Sequence, residues 1–457
     1  MTGGAEVALY GVDGEIGGRL PLAGNRASLG VYGGGFWFDH HDIDEAITGG
    51  MARVELALND VVGPGSQLSA QYKYTDDNLR GSRHLIGARL RIPLGPAPAA
   101  TEVSPQCLRM VDRIERDVDI VIAPSGKEAV EDAWTGVDFD SVLQVNGGAV
   151  IDNAPGTADK LIIANGDIQV AQTLHGDRTL QGGGSTILVR GRTSGAVADF
   201  TAPGNGLVLF SSSGSGLTLT GDNIHVAGMS IGTFGAQFHG INGGDGKENV
   251  FVENVDISTD GSGARGIQFG NDNQRIRLDN VTALTVGSDS AGIRFGNSNE
   301  DVWVTNSSVG VGSSNEAVRF GDDNKNIWVT DNWIPGFDQP VPGQAVRFGD
   351  GNSDVWVSGN TIAAQTQGVR FGSNNTSLQL SDNTFNEMDN DVFVFFGPGN
   401  TLVDGGSSGN ILNVDPGGDI CDANSGGSPA GGFAGGPLEV TDPNGNLLVF
   451  GTNCAPL

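Results

Sequence analysis

The sequence predicts an all-β protein in two parts, an antiparallel sheet of about five strands followed by a right-handed parallel β-helix. Three observations predict this fold class. A short phrase recurs between Gly266 and Asn383, at intervals of 26, 25, 28 and 23 residues. The first hundred residues contain long runs of alternating polarity, and the 457 residues include 74 glycines with almost no helical periodicity. A repeat of 20–50 residues indicates a solenoid, a propeller or an array.

Charge and composition restrict the classes of partner. With 25 basic and 54 acidic residues, the formal net charge is 25 − 54 = −29. Such a chain is not expected to bind nucleic acid, because a phosphate-binding face needs clustered cations. No apolar run reaches 18 residues, so no transmembrane helix is predicted. Met1 is followed by no basic or apolar segment of the kind that forms a secretory signal.

The cysteines and histidines predict no metal centre and no cofactor. The six histidines show no ligand spacing, and three cysteines are too few for a metal cage or a dense disulfide framework. Cys421 and Cys454 lie close together near the C-terminus and are a candidate disulfide, which suits an oxidising cell exterior. Cys107 stands alone in a predicted linker.

The first part of the chain predicts five strands. Segments of about ten residues with alternating polarity and aromatic ends are the weak signature of an outer-membrane β-barrel, and an ordinary soluble antiparallel sheet is the alternative. The predicted strands are Glu6–Leu22, Ser28–Asp39, Met51–Asn59, Gln67–Tyr74 and Ser82–Leu94.

Three of these segments resemble a known family. Gly11–Leu22, Leu29–Asp39 and Arg89–Gly95 look like the last strands of the inverse autotransporter (intimin/invasin-type) β-domain, and Arg109–Ile120 is similar to the segment that the family carries after its barrel. The resemblance implies an outer-membrane barrel that exports a passenger. Five strands cannot close a barrel, which needs ~8 or more. We therefore expect a partial barrel with an open, curved sheet, an apolar outer face and an N-terminal truncation.

The repeated phrase predicts the second part. Each copy ends in Phe-Gly, and Asn follows four residues after each Phe, which indicates a tight turn repeated in register. A second short strand follows each turn, and a second Asn series follows that strand, displaced by one residue between Asn306 and Asn332. This arrangement resembles the pectate-lyase-like superfamily of right-handed parallel β-helices. The phenylalanines are Phe269, Phe295, Phe320, Phe348 and Phe371.

Strand periodicity assigns the faces of the repeat. In Val-Arg-Phe the Val and Phe point inward and the Arg outward, and in Val-Trp-Val the Trp points outward. The outward residues of successive coils form columns, and these are the candidate ligand-binding residues. The candidates are Arg294, Arg319, Arg347 and Arg370 in one column and Trp303, Trp328 and Trp356 in the other.

Each column has two interpretations. Stacked arginines repel one another, so either acidic residues in nearby turns pair with them or the column binds an anion such as an acidic glycan. The tryptophans form either a flat platform for a sugar or protein ligand, or a stack that a loop covers or that supports the arginines by cation–π contact. The nearby acidic residues are Glu300, Glu316, Asp322, Asp350 and Asp354.

The sequence predicts no catalytic residue. β-Helix lyases and hydrolases use paired carboxylates or calcium-binding Asp clusters. The outward positions of the regular coils carry Arg, Trp and Gln, and Asp245, Asp256 and Asp260 lie before these coils without matching partners. We therefore expect the chain not to be an enzyme, with a surface polysaccharide lyase or glycoside hydrolase as the alternative.

These observations predict a surface-displayed adhesin. We expect a partial barrel over 1–94, a linker over 95–125, a β-helix passenger over 126–415 and a C-terminal cap over 416–457. The cap includes a hairpin whose turn is Asn444-Gly445. The predicted partners are outer-membrane lipid and a glycan or another ligand on a host or neighbouring cell. The predicted location is the outer membrane, with the passenger at the cell surface.

Overall fold

Two units make up the chain, Thr2–Glu128 and Ala129–Leu457. The computed structural model describes residues 2–3, 6–40, 46–78, 81–104, 122–124, 128–148, 151, 159–312, 316–335, 343–363, 367–386, 392–403, 407–413, 421–422, 433–451 and 454. Cys107 and the segment Arg109–Ile120 lie outside these residues. No helix within the described ranges is long and apolar enough to cross a membrane.

The first unit contains the predicted five-stranded antiparallel sheet, with its strands in sequence order. No pairing joins the first described strand to the last, so the sheet is open and a barrel is not confirmed. The last strand stops at Arg91 rather than Leu94, and Pro93, which has no backbone N–H, follows it. A 3₁₀ turn spans Ala100–Glu102. The strands are Tyr10–Leu22, Ala27–Asp39, Ile47–Asn59, Gln67–Asp77 and Gly81–Arg91, with Glu6–Ala8 and Ile122–Pro124 forming a short antiparallel pair.

The two faces of this sheet differ in polarity. On one face Val54 lies opposite Val31 and Tyr72, and all three side chains are exposed. On the other face Arg53 binds Glu15 at 2.7 Å and Glu55 at 3.0 Å. One face is therefore apolar and open, and the other carries charges that neutralise one another.

The second unit is an all-β right-handed parallel β-helix. Each regular coil, meaning one turn of the solenoid, contributes one strand to a ten-stranded parallel sheet that we call the arginine face. Its strands are Gln172–Leu174, Leu217–Leu219, Ile241–Gly244, Arg265–Phe269, Ala291–Arg294, Glu316–Phe320, Gln344–Phe348, Gln367–Phe371, Val392–Phe396 and Cys421–Asp422.

The other strands of each coil join a second sheet of twenty strands. In the coils from Glu300 onward this sheet takes two strands per coil. The first of the two carries the outward Trp, and we call the surface formed by these first strands the tryptophan face. The twenty strands are Val142–Asn146, Leu161–Ile168, Arg178–Gly182, Leu207–Ser211, Ile224–Phe234, Glu248–Asp260, Gln274–Thr285, Glu300–Thr305, Ser308–Val311, Lys325–Thr330, Trp333–Ile334, Ser353–Ser358, Thr361–Ala363, Thr376–Ser381, Thr384–Asn386, Asn400–Leu402, Asn410–Leu412, Phe433–Gly435, Leu438–Thr441 and Leu447–Phe450.

Antiparallel strands occur near both ends of the β-helix. Near its start Thr186–Gly191 pairs with Val197–Thr201 and with Glu128–Asp132. At its end Leu438–Thr441 stacks in parallel on the last coil and pairs antiparallel with Leu447–Phe450, which confirms the predicted hairpin. A disulfide joins Cys421 and Cys454, whose Cα atoms are 5.5 Å apart. The second strand of the hairpin is the last in the order of its sheet.

The five phenylalanines of the repeat fill the core. All are at most 1% exposed. Their rings stack with centroids 5.0–5.4 Å apart and planes within 8° of parallel. Phe396 extends the stack by one coil. The inward column is therefore confirmed, and it holds the coils at one repeating distance.

The first turn is confirmed, but its Asn and Gly residues have different roles from those predicted. The Asn side chains are buried, and each donates its Nδ2–H to the Oδ1 of the next, as Asn299 does to Asn324 at 2.8 Å. The positive φ falls on the residue before each Asn, such as Ser298 (φ 58°). The Gly after each Phe allows close stacking, because a Cβ on Gly321 would lie 2.8 Å from the carbonyl oxygen of Gly296. The ladder comprises Asn273, Asn299, Asn324, Asn352, Asn375 and Asn400.

The second Asn series is not one ladder displaced by one residue. Asn306 is an exposed residue with a φ of 51°, and the equivalent place one coil later is taken by Asp331 (φ 57°). The buried place follows it, and is filled by Ser307 and then by Asn332. The single predicted series is in fact two neighbouring columns, because Asn suits both a left-handed φ and a buried hydrogen-bond ladder. The buried ladder comprises Asn332, Asn360, Asn383 and Asn410.

Candidate functional site

The four predicted arginines form one column on the arginine face. Each is paired in register with the next, from Arg294 to Arg370, and each is half-buried. Gln268 precedes the column and Phe395 follows it. The guanidinium of Arg370 lies 4.7 Å from the centroid of the Phe395 ring, so a cation–π contact ends the column.

One acidic residue compensates this column. The Glu316 carboxylate accepts a hydrogen bond from Arg347 at 2.8 Å and lies 3.5 Å from Arg319. Among the described residues Arg294 has no salt bridge, and its buried Nε has no hydrogen-bond partner. The alternative of local pairing therefore holds for two arginines and fails for Arg294.

The other acidic residues of nearby turns have different partners. Glu300 lies 3.5 Å from Lys325. Asp322 accepts the backbone N–H of Asp350 at 2.8 Å, and Asp350 accepts that of Ser373 at 2.6 Å. Glu300 thus pairs with a lysine, and Asp322 and Asp350 bind the backbone of the next coil. In the part of the chain that the structure describes, none of the three forms a salt bridge with the arginine column.

Arg265 extends the cationic region, its backbone N–H donates to the ring of His239, and neither residue was predicted from the sequence. Burial, then the charges of Arg294 and Arg319, lower the pKa of Arg265 to about 10, with the charge of Glu316 opposing them. Burial, then Arg265 and Arg294, lower the pKa of His239 to about 4, so His239 is neutral at pH 7. The segment Arg265-Gly-Ile-Gln-Phe could have indicated this arginine. In it Gln268 takes the position of the repeated Arg, and Arg265 lies three residues before it.

The electrostatics of the column reflect crowding of like charges. Burial and then Arg319 lower the pKa of Arg294, Glu316 opposes them, and Arg347 adds to the decrease. The pKa of Arg370 is also lowered by burial and then by Arg347, with Glu316 and Asp350 opposing. All these groups remain charged at neutral pH, so their mutual repulsion is present in the free protein.

The tryptophan column is a ring stack, which was one of the two alternatives that the sequence left open. The rings of Trp303, Trp328 and Trp356 are 4.8 Å apart and within 5° of parallel. The distance equals the ~4.7–4.9 Å spacing of neighbouring strands, so the rings stack along the solenoid and cover one another's faces. The column presents half-buried ring edges to solvent, and not the flat platform that was the other alternative.

Polar residues border these ring edges. Thr305, Thr330 and Ser358 form the next outward column on the same strands. Thr305 donates to Asp279 at 2.7 Å. The tryptophan face is therefore an aromatic ridge with a row of hydroxyl groups beside it.

A buried polar network lies at the N-terminal end of this column, on the coils that precede Trp303. His225, Phe251 and Arg277 are paired in register and lead to Trp303. His225 is fully buried, and its Nδ1 lies 2.6 Å from Asp132. No sequence signal marks this contact, because 93 residues separate the two side chains.

The charges of this pair support each other. Burial raises the pKa of Asp132, but the charge and hydrogen bond of His225 outweigh burial and lower it. Burial lowers the pKa of His225, but Asp132 and then Glu253, 3.1 Å from Nε2, outweigh burial and raise it. The pair is therefore an ion pair at neutral pH, and it fixes the segment that contains Asp132 on the start of the solenoid.

An outward carboxylate pair also lies here. Glu253 and Asp279 are register partners on adjacent coils, and their side chains are 15% and 22% exposed. Asp279 accepts hydrogen bonds from Thr305 and from Asn306 at 2.8 Å. The acidic residues singled out in the sequence precede the regular coils, whereas this pair lies on strands of adjacent coils.

Comparisons with known proteins give likenesses in structure only. No protein-family model and no curated protein matches the chain. It is similar to PfbA, a surface adhesin of Streptococcus pneumoniae (9% identity, 64% of this chain and 92% of that chain, TM-score 0.39). It is similar to the A-module of the Azotobacter vinelandii mannuronan C-5 epimerase AlgE4 (15%, 58% and 80%, 0.35), and to the catalytic domain of a GH87 alpha-1,3-glucanase (13%, 95% and 98%, 0.32). At these values no function is transferred from any of them.

The expectation that the chain is not an enzyme is wrong as an inference from fold and motifs. The similar structures include an epimerase and a glucanase, so this class of fold does not separate binding proteins from enzymes. The expectation also assumed that no acidic pair faces outward from the coils. Glu253 and Asp279 are such a pair, which the sequence did not predict.

Proposed function

We propose that the β-helix is a binding protein of the adhesin type whose arginine face binds an acidic glycan. One observation carries the proposal: four arginines stack in register beside Arg265, and among the described residues one carboxylate, Glu316, forms salt bridges with them. Like charges in register destabilise a sheet. A bound polyanion supplies the attraction that this face lacks, in a chain whose net charge is −29 with these arginines included.

The repeat of the column favours a linear polymer. Guanidinium groups recur once per coil at the ~4.7–4.9 Å strand spacing, and each pairs well with the planar geometry of a carboxylate or with a sulfate. A chain with regularly spaced charges contacts several coils together, so weak single contacts combine into a stable complex. Binding should weaken with salt, because the guanidiniums are partly exposed.

Titration of the full chain with charged and neutral polysaccharides tests the proposal. We expect polygalacturonate or dextran sulfate to bind, and neutral dextran not to bind. The double variant Arg294→Gln/Arg319→Gln should weaken binding at least about tenfold, since a hydrogen bond to a charged group contributes roughly 1.5–3 kcal/mol. The matched control Lys325→Gln removes one charge from the tryptophan face and should leave binding unchanged. Equal loss in the control and the double variant would sink the proposal.

Trp303, Trp328 and Trp356 are a second candidate contact. Their edges and the adjacent hydroxyl groups can contact a sugar, although their faces are covered. Trp328→Phe keeps an aromatic ring in the stack and changes its outer edge. A loss of binding in this variant would add the tryptophan face to the site, and unchanged binding would limit the site to the arginine face.

We further propose that the five-stranded sheet contacts outer-membrane lipid and displays the β-helix at the cell surface. The two-faced sheet supports this, because its exposed apolar face suits lipid contact and its opposite face carries ion pairs. Exposed apolar side chains occur on all five strands and include Val12, Ile16, Leu20, Val31, Val54, Leu56, Tyr72, Ile86 and Leu90.

Flotation of the full chain with phosphatidylethanolamine/phosphatidylglycerol vesicles tests this proposal. Ile86 is 82% exposed and lies opposite Tyr72 on the apolar face, whereas its neighbour Leu85 is 56% exposed and lies opposite Lys73 on the other face. Ile86→Glu should reduce flotation several-fold, and Leu85→Glu should not. Equal effects would contradict a lipid-facing side.

A second candidate function is glycoside hydrolysis at Glu253 and Asp279. Their register places two carboxylates on adjacent strands, and retaining glycosidases use carboxyl groups ~5–5.5 Å apart. Release of reducing ends from a panel of polysaccharides would support it if Asp279→Asn abolishes the release. Activity that survives both Asp279→Asn and Glu253→Gln would exclude this pair.

A further inference from the structure

Glu316 provides an internal example of how the arginine face holds a carboxylate. Its side chain is 18% exposed, and its carboxylate lies between the guanidiniums of two adjacent coils, 3.5 Å from Arg319 and 2.8 Å from Arg347. Both arginines are about one-third exposed. A ligand carboxylate of the same geometry would have access to the same pair of groups.

The place that Glu316 occupies recurs on neighbouring coils with other residues. In register with Glu316, the preceding coil has Ala291 and the one before it has Arg265. Later coils have Gln344 and Gln367, which are register partners of each other. Glu316 is therefore the one carboxylate in this described part of the column, although its neighbours show that long side chains fit there.

The coil of Ala291 is where compensation is missing. A methyl group stands in the place of a carboxylate, and the Nε atoms of both Arg265 and Arg294 are buried without a hydrogen-bond partner among the described residues. Burial and the neighbouring cations together lower the pKa of both arginines. The free protein thus has one filled position at Glu316 and one unfilled position beside Arg294.

We propose that the ligand is a carboxylated glycan whose carboxylates lie between guanidiniums of adjacent coils, in the positions equivalent to Glu316, and that Glu316 competes with it for Arg319 and Arg347. This inference rests on the proposed function and names the ligand class and an internal inhibitor of that site. The strongest contacts fall at Arg294 and Arg265, where no described protein carboxylate competes.

Two opposite substitutions test the competition in the full chain. Glu316→Gln removes the internal carboxylate and should tighten binding of polygalacturonate about five- to tenfold. Ala291→Glu adds one beside Arg294 and should weaken binding by a similar factor. Gln344→Glu repeats the second test next to Arg347, in case Ala291→Glu does not fold. Calorimetric titration measures affinity, and a thermal melt of each variant establishes that it is folded.

The outcomes separate this inference from the proposed function. If the wild type binds and Arg294→Gln weakens binding, but Glu316→Gln and both added glutamates change nothing, the competition is wrong and the proposed function survives. If the wild type binds neither polyanion, the proposed function itself fails. If dextran sulfate binds as tightly as polygalacturonate and responds equally to every variant, the face senses charge alone and the carboxylate assignment is overturned.

Discussion

The arginine face and the tryptophan face are built by the same repeat and have opposite energetics. Stacking identical residues at each coil places three indoles in parallel contact, which stabilises the tryptophan face. The same operation places guanidiniums beside one another with a single carboxylate among them, which destabilises the arginine face. A column that satisfies itself needs no ligand, whereas a column that repels itself is stabilised by one.

The largest expected effect on stability comes from His225, at the N-terminal end of the tryptophan column. The pKa of His225 rises from 6.5 to about 9 on folding, so its stabilisation is complete below pH 6.5 and is lost as the pH rises through about 9. At about 1.4 kcal/mol per pH unit the rise corresponds to roughly 3 kcal/mol. Urea unfolding between pH 6 and 9.5 should show this decrease.

The same ion pair predicts a second limb at acid pH. The pKa of Asp132 is lowered from 3.8 to about 2, so its stabilisation is present above pH 3.8 and is lost as the pH falls through about 2. His225→Phe, which retains stacking on Phe251, should remove the alkaline limb. An alkaline decrease that persists in this variant would assign it to other groups.

The next effect tests how much ring stacking in the tryptophan column contributes to stability. Trp328→Ala removes the middle ring and both of its stacking contacts, and should lower the free energy of unfolding by about 2–3 kcal/mol. Trp328→Phe should lower it by less, because a ring remains. Chemical denaturation of the three proteins measures the difference. Equal stability of all three would mean that the stack contributes nothing.

The two corners of the coil should differ in how far stability depends on their Asn, because Asn324 in the first corner is buried and Asn306 in the second is exposed. Asn324→Ala leaves the buried N–H groups of Asn299 without their acceptor, and should cost about 2 kcal/mol. Asn306→Gly is the matched control, because Asn306 is exposed at a positive φ that Gly adopts freely. In urea denaturation the control should change stability by less than about 0.5 kcal/mol, and a larger loss there than in Asn324→Ala would reverse the assignment.

The smallest effect has the opposite sign from the others. Arg294→Gln removes a cation that has no salt bridge among the described residues and has like-charged neighbours. We expect the free energy of unfolding to stay constant or to rise by less than about 1 kcal/mol, with the gain smaller in high salt. A clear loss of stability in chemical denaturation would show that Arg294 is structural, and would weaken the contrast between the two faces.

Local repetition made most of the solenoid predictable. The inward Phe column, the outward Arg and Trp columns and the first Asn corner each follow from a residue type that recurs at one place in every coil. The five strands of the first sheet follow in the same way from alternating polarity. The second corner was misjudged because Asn suits two adjacent places there, and sequence alone does not say which of the two is buried.

The rest depends on contacts between distant residues. Asp132 and His225 are 93 residues apart, and nothing near either residue indicates the pairing. The direction of the indole planes is set by the stacking distance, which only the assembled coils define. Glu253 and Asp279 become a pair only once the register of their coils is known. In each case the sequence supplies the side chain and the fold supplies its neighbour.

The central claim is that the arginine face is a ligand site, and one measurement tests it most directly. It is the dissociation constant of the full chain for polygalacturonate, compared between the wild type and Arg294→Gln/Arg319→Gln at low and physiological ionic strength. We predict that the wild type binds, that binding weakens with salt, and that the double variant loses at least about tenfold in affinity. Wild-type binding that is independent of both salt and these two arginines would contradict the claim.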